Sequence, residues 1–194
     1  MTDQSPPETI PFFVVEDTQA MKALANPVRW EILDTMGALG ECSAADIAQY
    51  TARARTSLYP HIQDLVSCGL IYETGTRLMG KRYRPKAVMI GTRFNQDDPE
   101  NLDYHTTFAN ALARLMARKH ERAANEPGAN PRTDQRNHHC GGHSVWVDKE
   151  QLAKLNEMIE DIWKFCESSH PGEDKQLMHV GLFLSRHIPK SKEK

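Results

Sequence analysis

Leu24-Ala25-Asn26-Pro27-Val28-Arg29-Trp30-Glu31-Ile32-Leu33, followed later by Ser57-Leu58-Tyr59-Pro60-His61-Ile62-Gln63-Asp64-Leu65-Val66-Ser67-Cys68-Gly69-Leu70-Ile71, decides how the rest of the chain is read. In the first stretch Asn26 suits a helix N-cap and Pro27 suits the first helical position, where its missing N–H is harmless. The helix it opens runs from Pro27 to about Leu39, with Val28, Ile32, Leu33 and Met36 at helical spacing and Gly37 and Gly40 marking a fraying end. In the second stretch Leu58, Ile62, Leu65 and Val66 share one helical face, and Gly69 ends the helix just before an apolar strand start.

Between and around these stretches lie shorter elements. A helix near Thr18 to Ala25 is expected, with Thr18 as its cap and Met21 and Leu24 facing inward. Ser43-Ala44-Ala45-Asp46 has the spacing of a capping box and opens a short helix to Tyr50. Thr51 to Ala54 then form a turn, and Thr56 or Ser57 caps the next helix, since Pro60 is best tolerated within a first turn. Its outer face carries Thr56, Pro60, Gln63 and Ser67, flanked by Ser57 and Tyr59. Leu70-Ile71-Tyr72 and Arg82-Tyr83-Arg84 read as a strand pair joined by a polar segment with Gly75, Arg77, Gly80 and Lys81.

The two stretches, in this order and at this distance, resemble the ArsR-like winged-helix regulators. In that family "L-A-x-P-x-R-x-x-I-L" opens the second helix and "H-L-x-x-L-x-x-x-G-L-I" closes the recognition helix; the closing Tyr83-Arg84-Pro85 is also similar. The resemblance covers roughly Thr18 to Lys86 and implies a sequence-specific DNA-binding transcriptional regulator acting as a homodimer. Its recognition helix would lie in the major groove, with Thr56, Ser57, Tyr59 and Gln63 near bases and His61 packing or meeting a phosphate. Arg53, Arg55, Arg77, Lys81 and Arg82 would meet phosphates or the minor groove.

The overall net charge of −2 conceals a local basic excess. From Thr51 to Arg93 there are eight Lys and Arg residues against Asp64 and Glu73 alone, as suits duplex binding through a few positioned cations. Cys42, Cys68, Cys140 and Cys166 form no C-x-x-C pair, which fits free thiols in a reducing compartment. The apolar runs are too short to span a bilayer, and the opening segment is unlike a signal peptide, so a cytoplasmic protein without a membrane partner is expected.

Residues 1–16, with Pro6, Pro7 and Pro11, are expected to be a flexible arm, and 17–95 the winged-helix domain. A long helix over about Pro99 to Ala124, within a 96–125 segment, carries the apolar stripe Leu102, Phe108, Ala111, Leu112, Leu115 and Met116. In ArsR-like proteins the helix after the wing builds the dimer, so Phe108, Ala111, Leu112, Leu115 and Met116 are the expected interface. Residues 126–142 read as a linker, and 143–188 as a strand, helix and strand: Ser144-Val-Trp-Val, a helix capped by Asp148 to about Ser168, and Leu177 to Leu184. A basic tail, 189–194, follows. Trp146 and Trp163 are expected in a core. The fold class is thus mainly α with a small β wing (α+β), extended by a small C-terminal α/β element.

No cofactor and no metal are expected. The metalloid-sensing C-x-C of the family falls on Ser43 and Ala45, leaving only the displaced Cys42. Asp103-Tyr104-His105 matches the first half of the zinc-sensing pattern, but the second half falls on Met116 and Lys119, with His120 out of register. His138, His139, Cys140 and His143 form the remaining group of soft and borderline ligands. The chain has no Gly-rich phosphate loop, no H-E-x-x-H and no G-x-S-x-G, which argues against an enzyme. The alternative is a winged-helix protein-interaction module without DNA binding. The resemblance also leaves room for a small-molecule effector acting on the dimer.

Overall fold

The computed structural model describes residues 7–75, 80–132, 134–169, 173 and 175–185. Among them the chain is α+β, with six helices and four short strands. It divides into two compact units, Met1–Leu115 and Met116–Lys194.

The first unit is built on four helices whose starts are set locally. α1 (Thr18–Leu24) is capped by Asp17 rather than Thr18: Asp17 Oδ1 accepts from the Ala20 amide at 2.9 Å. Thr18 instead donates its hydroxyl to Asp98. α2 (Pro27–Leu39) starts as the sequence dictates, with Asn26 Oδ1 accepting from the amides of Val28 and Arg29. α3 (Ala44–Thr51) carries the full Ser43/Asp46 capping box. α4 (Arg55–Ser67) begins earlier than expected, behind Ala54, with no side-chain cap, so neither Thr56 nor Ser57 caps it. Pro60 therefore sits inside the helix, and its missing N–H leaves the Thr56 carbonyl without its helical donor. Gly69, at φ +69°, closes α4 in the left-handed region as expected.

β2 (Ile71–Thr74) and β3 (Arg82–Pro85) pair antiparallel, Ile71 opposite Pro85 and Thr74 opposite Arg82. Backbone bonds between Cys42 and Tyr83 tie the segment before α3 to this hairpin. Arg77 lies outside the described residues.

The expected arm is corrected in its second half. Ile10–Val15 forms β1, parallel to β4 (Ala87–Thr92), with Phe12 opposite Met89 and Val15 opposite Thr92. Pro11 does not prevent this. The Ile10 amide points at the partner strand, donating to the Lys86 carbonyl, so by strand alternation position 11 points away from β4. Residues 1–6 lie outside the described residues.

β4 runs against α2, and Gly37 is the reason it can. A Cβ at Gly37 would stand 2.3 Å from the Val88 carbonyl oxygen. Gly37 is thus a contact residue inside α2, not a sign of fraying.

The core gathers Val15, Met21, Leu24, Ile32, Met36, Ile47, Leu58, Ile62, Leu65, Ile71, Tyr83 and Phe108, each 5% exposed or less. Phe108 belongs to α5 (Pro99–Ala124), the long helix at its expected bounds, and meets the Trp30 ring edge-on at 4.9 Å. The first unit therefore extends beyond 17–95 at both ends. At its junction Asn101 is wholly buried. Its Oδ1 accepts from the Asn95 amide at 2.9 Å, while Nδ2 donates to the Glu16 carbonyl and the Thr18 hydroxyl.

In the second unit, the expected linker is partly organised by Asn137, which exchanges bonds with the Asn130 backbone and reaches the Gly128 carbonyl. α6 (Lys149–Glu167) has the predicted Asp148 cap, completed by Gln151 as a capping box. The strands expected on either side of it are corrected: Ser144 to Val147 and the 177–184 segment are irregular. Strands require a ladder partner, and neither segment has one among the described residues. Trp146, expected in a core, is fully exposed, and Trp163 is half-buried. The tail, 189–194, and residues 186–188 lie outside the described residues. Among the described residues no helix is long and apolar enough to cross a membrane.

Two substitutions test these constraints. Gly37→Ala gains roughly 1 kcal/mol of helix propensity but drives a methyl into strand backbone, an overpacking cost on the order of 1–3 kcal/mol. Because backbone must yield, the urea midpoint is expected to fall. Asn101→Ala strands a buried amide and carbonyl from separate segments and should lower unfolding stability by about 2–4 kcal/mol, measured by urea denaturation. An unchanged midpoint in either variant contradicts the packing described.

Candidate nucleic-acid interface

The inner face of α4, Leu58, Ile62 and Leu65, is anchored in the core, and this fixes the outer face. Arg55, Thr56, Ser57, Tyr59, Pro60 and Gln63 are exposed there, together with Asp64 and Ser67. The approach to α4 is a left-handed turn at Ala52, φ +53°, where the Arg53 amide donates to the Ala48 carbonyl. The first turn of α4 lacks a side-chain cap; the Ser57 amide donates to the Ala54 carbonyl, and the Arg55 and Thr56 amides stand at the positive end of the helix dipole.

The cations of the basic stretch are largely engaged within the chain. Arg53 donates from Nε and pairs through Nη2 with Glu31 Oε2 at 2.9 and 2.8 Å. Arg82 and Arg84 converge on Glu41: Arg82 Nη2 donates to its carbonyl at 2.7 Å, and Arg84 Nε and Nη2 donate to its Oε2 at 3.1 and 2.8 Å. The Arg84 guanidinium holds the Glu41 carboxyl below its ordinary pKa. Lys81 pairs with Glu73 across the hairpin at 3.0 Å, Arg93 pairs with Glu16, and Lys86 stands 3.6 Å over the Phe13 ring. Arg55 differs: it is exposed and has no ion-pair partner among the described residues. Glu41 and Glu31 lie before the basic stretch in sequence, which is why counting charge from Thr51 to Arg93 missed them. A carboxylate in the second turn of α2 and one just beyond its C-terminal end were the available signal.

His61 is half-buried, and its Nδ1 is enclosed without a hydrogen-bond partner. Burial, with the Arg29 cation beside it, lowers its pKa, so it stands as neutral imidazole at neutral pH rather than as a phosphate-binding cation. Arg29 itself pairs with Asp64 of α4.

Of the residues expected between two copies, Phe108, Ala111 and Leu115 are buried within the single chain, while Leu112 and Met116 are half-buried. Phe108 is engaged with Trp30, which removes it from a surface open to a second copy. Phe108 and, in part, Leu112 pack on the core of the first unit.

The soft-ligand residues do not converge. The His138 ring stacks on His120 with centroids 3.8 Å apart, and His139, Cys140 and His143 are exposed. Burial pushes the Cys42 thiol up to about 11, and the His105 ring lies against Phe94. Among the described residues no group of three or more His, Cys, Asp or Glu is placed to hold a metal ion. Leu39, Glu41, Cys42, Asp46, Gln49 and Tyr50 line a shallow cavity of about 230 Å³ beside the hairpin.

No family model matches the chain, and no curated protein matches it.

The lowered His61 pKa carries a sign. Below about 6.5 the unfolded chain binds the proton more readily than the folded one, so stability falls as pH drops from there toward the folded value. His61→Gln should flatten the pH dependence of the urea midpoint between pH 7 and the acid side of that range. An unchanged slope would show that His61 titrates normally.

Proposed function

We propose that the chain is a sequence-specific DNA-binding transcriptional regulator of the winged-helix type, acting in the cytoplasm as a homodimer. In this reading α4 is the recognition helix and the β2–β3 hairpin the wing. The observation that carries it is the outer face of α4: a row of polar side chains projects from a helix whose other face is locked into the core. A rigid mount matters, because base reading requires donors and acceptors held in register with a groove.

The Arg55 side chain and the uncapped Arg55 and Thr56 amides suit a phosphate at the helix N-terminus. Gln63, further along the same face, has an amide suited to paired contacts with adenine. Tyr59, Thr56 and Ser57 lie between them. Arg53, Arg82 and Arg84 act differently from a simple phosphate contact: they hold Glu31 and Glu41 and so fix the geometry of the turn and the hairpin. Lys81 is open to exchange, since an exposed pair such as Lys81–Glu73 contributes only about 0.2–1 kcal/mol and yields readily to a phosphate. A homodimer would read two half-sites about one helical turn apart. A small effector that altered the spacing of the two reading heads would regulate binding.

The internal pairing of most cations favours one second reading, a winged-helix module that binds a protein instead of DNA. The two separate in a salt titration on selected and scrambled duplexes. Arg55→Ala should weaken binding to both and reduce the salt slope by about one unit per half-site. Gln63→Ala should lose on the order of 1–3 kcal/mol on the selected duplex and little on the scrambled one. Absence of duplex affinity at low salt in the wild-type protein would transfer the assignment to the interaction module.

A further inference from the structure

The inner face of the β2–β3 hairpin carries a polar group that its surroundings leave unserved. Tyr83 is wholly buried, yet its hydroxyl is enclosed without a hydrogen-bond partner among the described residues. Arg82 and Arg84, with Glu41 between them, lie on the opposite face by strand alternation and cannot serve it. Directly across the ladder from Tyr83 stands Glu73, on the same face, and the Cβ atoms of such a pair lie about 4.5–5.5 Å apart. The Glu73 carboxylate is engaged elsewhere: Lys81 Nζ stands 3.0 Å from each of its two oxygens. Burial first and the Glu73 carboxylate second raise the Tyr83 phenol above its ordinary pKa, while the Lys81 ammonium lowers it, so the three groups act on one another.

We propose that Glu73 is a two-position gate: the Lys81 ammonium holds it in the free protein, and the Tyr83 hydroxyl takes it over when a backbone phosphate of the duplex draws Lys81 away. The proposal rests on the reading of this hairpin as a wing. Lys81 reaches a phosphate only by leaving its carboxylate, and a carboxylate left bare at the open end of the hairpin faces the polyanion and repels it. Turning to Tyr83 removes both penalties. The phenol O–H donates to the carboxylate in a charge-assisted bond, and the negative charge withdraws toward the inner face. The exchange moves one flexible side chain and leaves the ladder intact. Tyr83 does not touch the duplex in this arrangement; it is a positioning residue that acts through Glu73.

Two double-mutant cycles test the gate. The first is urea unfolding of the free full-length chain. Tyr83→Phe should leave the midpoint unchanged or raise it, because the hydroxyl it removes is buried and unpaired. In a Lys81→Met background Glu73 has lost its cation and turns to Tyr83, so the same substitution should lower the midpoint by on the order of 0.5 M. A drop in the wild-type background, or no drop in either, overturns the proposal. The second cycle measures binding to selected and scrambled duplexes. Tyr83→Phe should weaken both by about fivefold per half-site. A merely structural hydroxyl would not weaken binding while leaving the midpoint in place. Glu73→Ala should tighten both, and in that background Tyr83→Phe should change nothing. Duplex binding that is indifferent to Tyr83→Phe, or a loss that persists without Glu73, overturns the gate. Failure of the DNA reading has a different signature: wild-type protein without duplex affinity removes that reading, while a midpoint drop confined to the Lys81→Met background still supports the exchange of Glu73 between Lys81 and Tyr83.

Discussion

The side chain of Asn101 is the constraint from which the first unit takes its form. A fully buried amide has two donors and an acceptor to satisfy, and leaving any of them bare costs more than a formed bond returns. Here the partners come from three places: the end of β1 through Glu16, the start of α1 through Thr18, and the loop before α5 through Asn95. All three must arrive together. Once they do, β1 is positioned beside β4, α1 is set at its angle to α2, and α5 leaves the domain from a fixed point, with Phe108 delivered to Trp30. Asp98 reinforces the node by accepting from Thr18 and from the first amides of α5.

From that node the outer face of α4 inherits its rigidity. Its apolar side packs on α2 and α3, and the hairpin is clamped to the same body twice, by the Cys42–Tyr83 backbone bonds and by Glu41 between two arginines. The Glu41 cluster is only partly exposed and includes a bond to a carbonyl, so it resists exchange better than Lys81–Glu73 at the hairpin's open end. Charge on this face is therefore graded: fixed near the core, open to exchange toward the tip, and unpaired at Arg55. That gradation is what a surface needs if it is to keep its shape and still offer cations to a polyanion.

The second unit follows another logic. It has well-capped helix ends and almost no interior, as α6 and the segments around it leave valine, leucine, phenylalanine and tryptophan side chains in solvent. Local signals there form a helix without supplying a core.

By itself the sequence determined what depends on neighbours a few residues apart. The Asn26 and Asp148 caps, the Ser43/Asp46 box, the Gly69 stop, the β2–β3 pairing and the bounds of α5 are all local chemistry, and all were readable. Tertiary structure alone decided what depends on distant partners. Ile10–Val15 became a strand because β4, far along the chain, supplied its ladder; Ser144 to Val147 and the 177–184 segment, with equally strand-like composition, remained irregular because nothing among the described residues supplied theirs. Gly37 looked like a helix end until Val88 was seen against it, and the cations of the basic stretch looked free until Glu31 and Glu41 were brought to them. Hydrogen-bond ladders, close backbone approach and ion pairing act through space, and residue spacing along the chain carries no direct record of them.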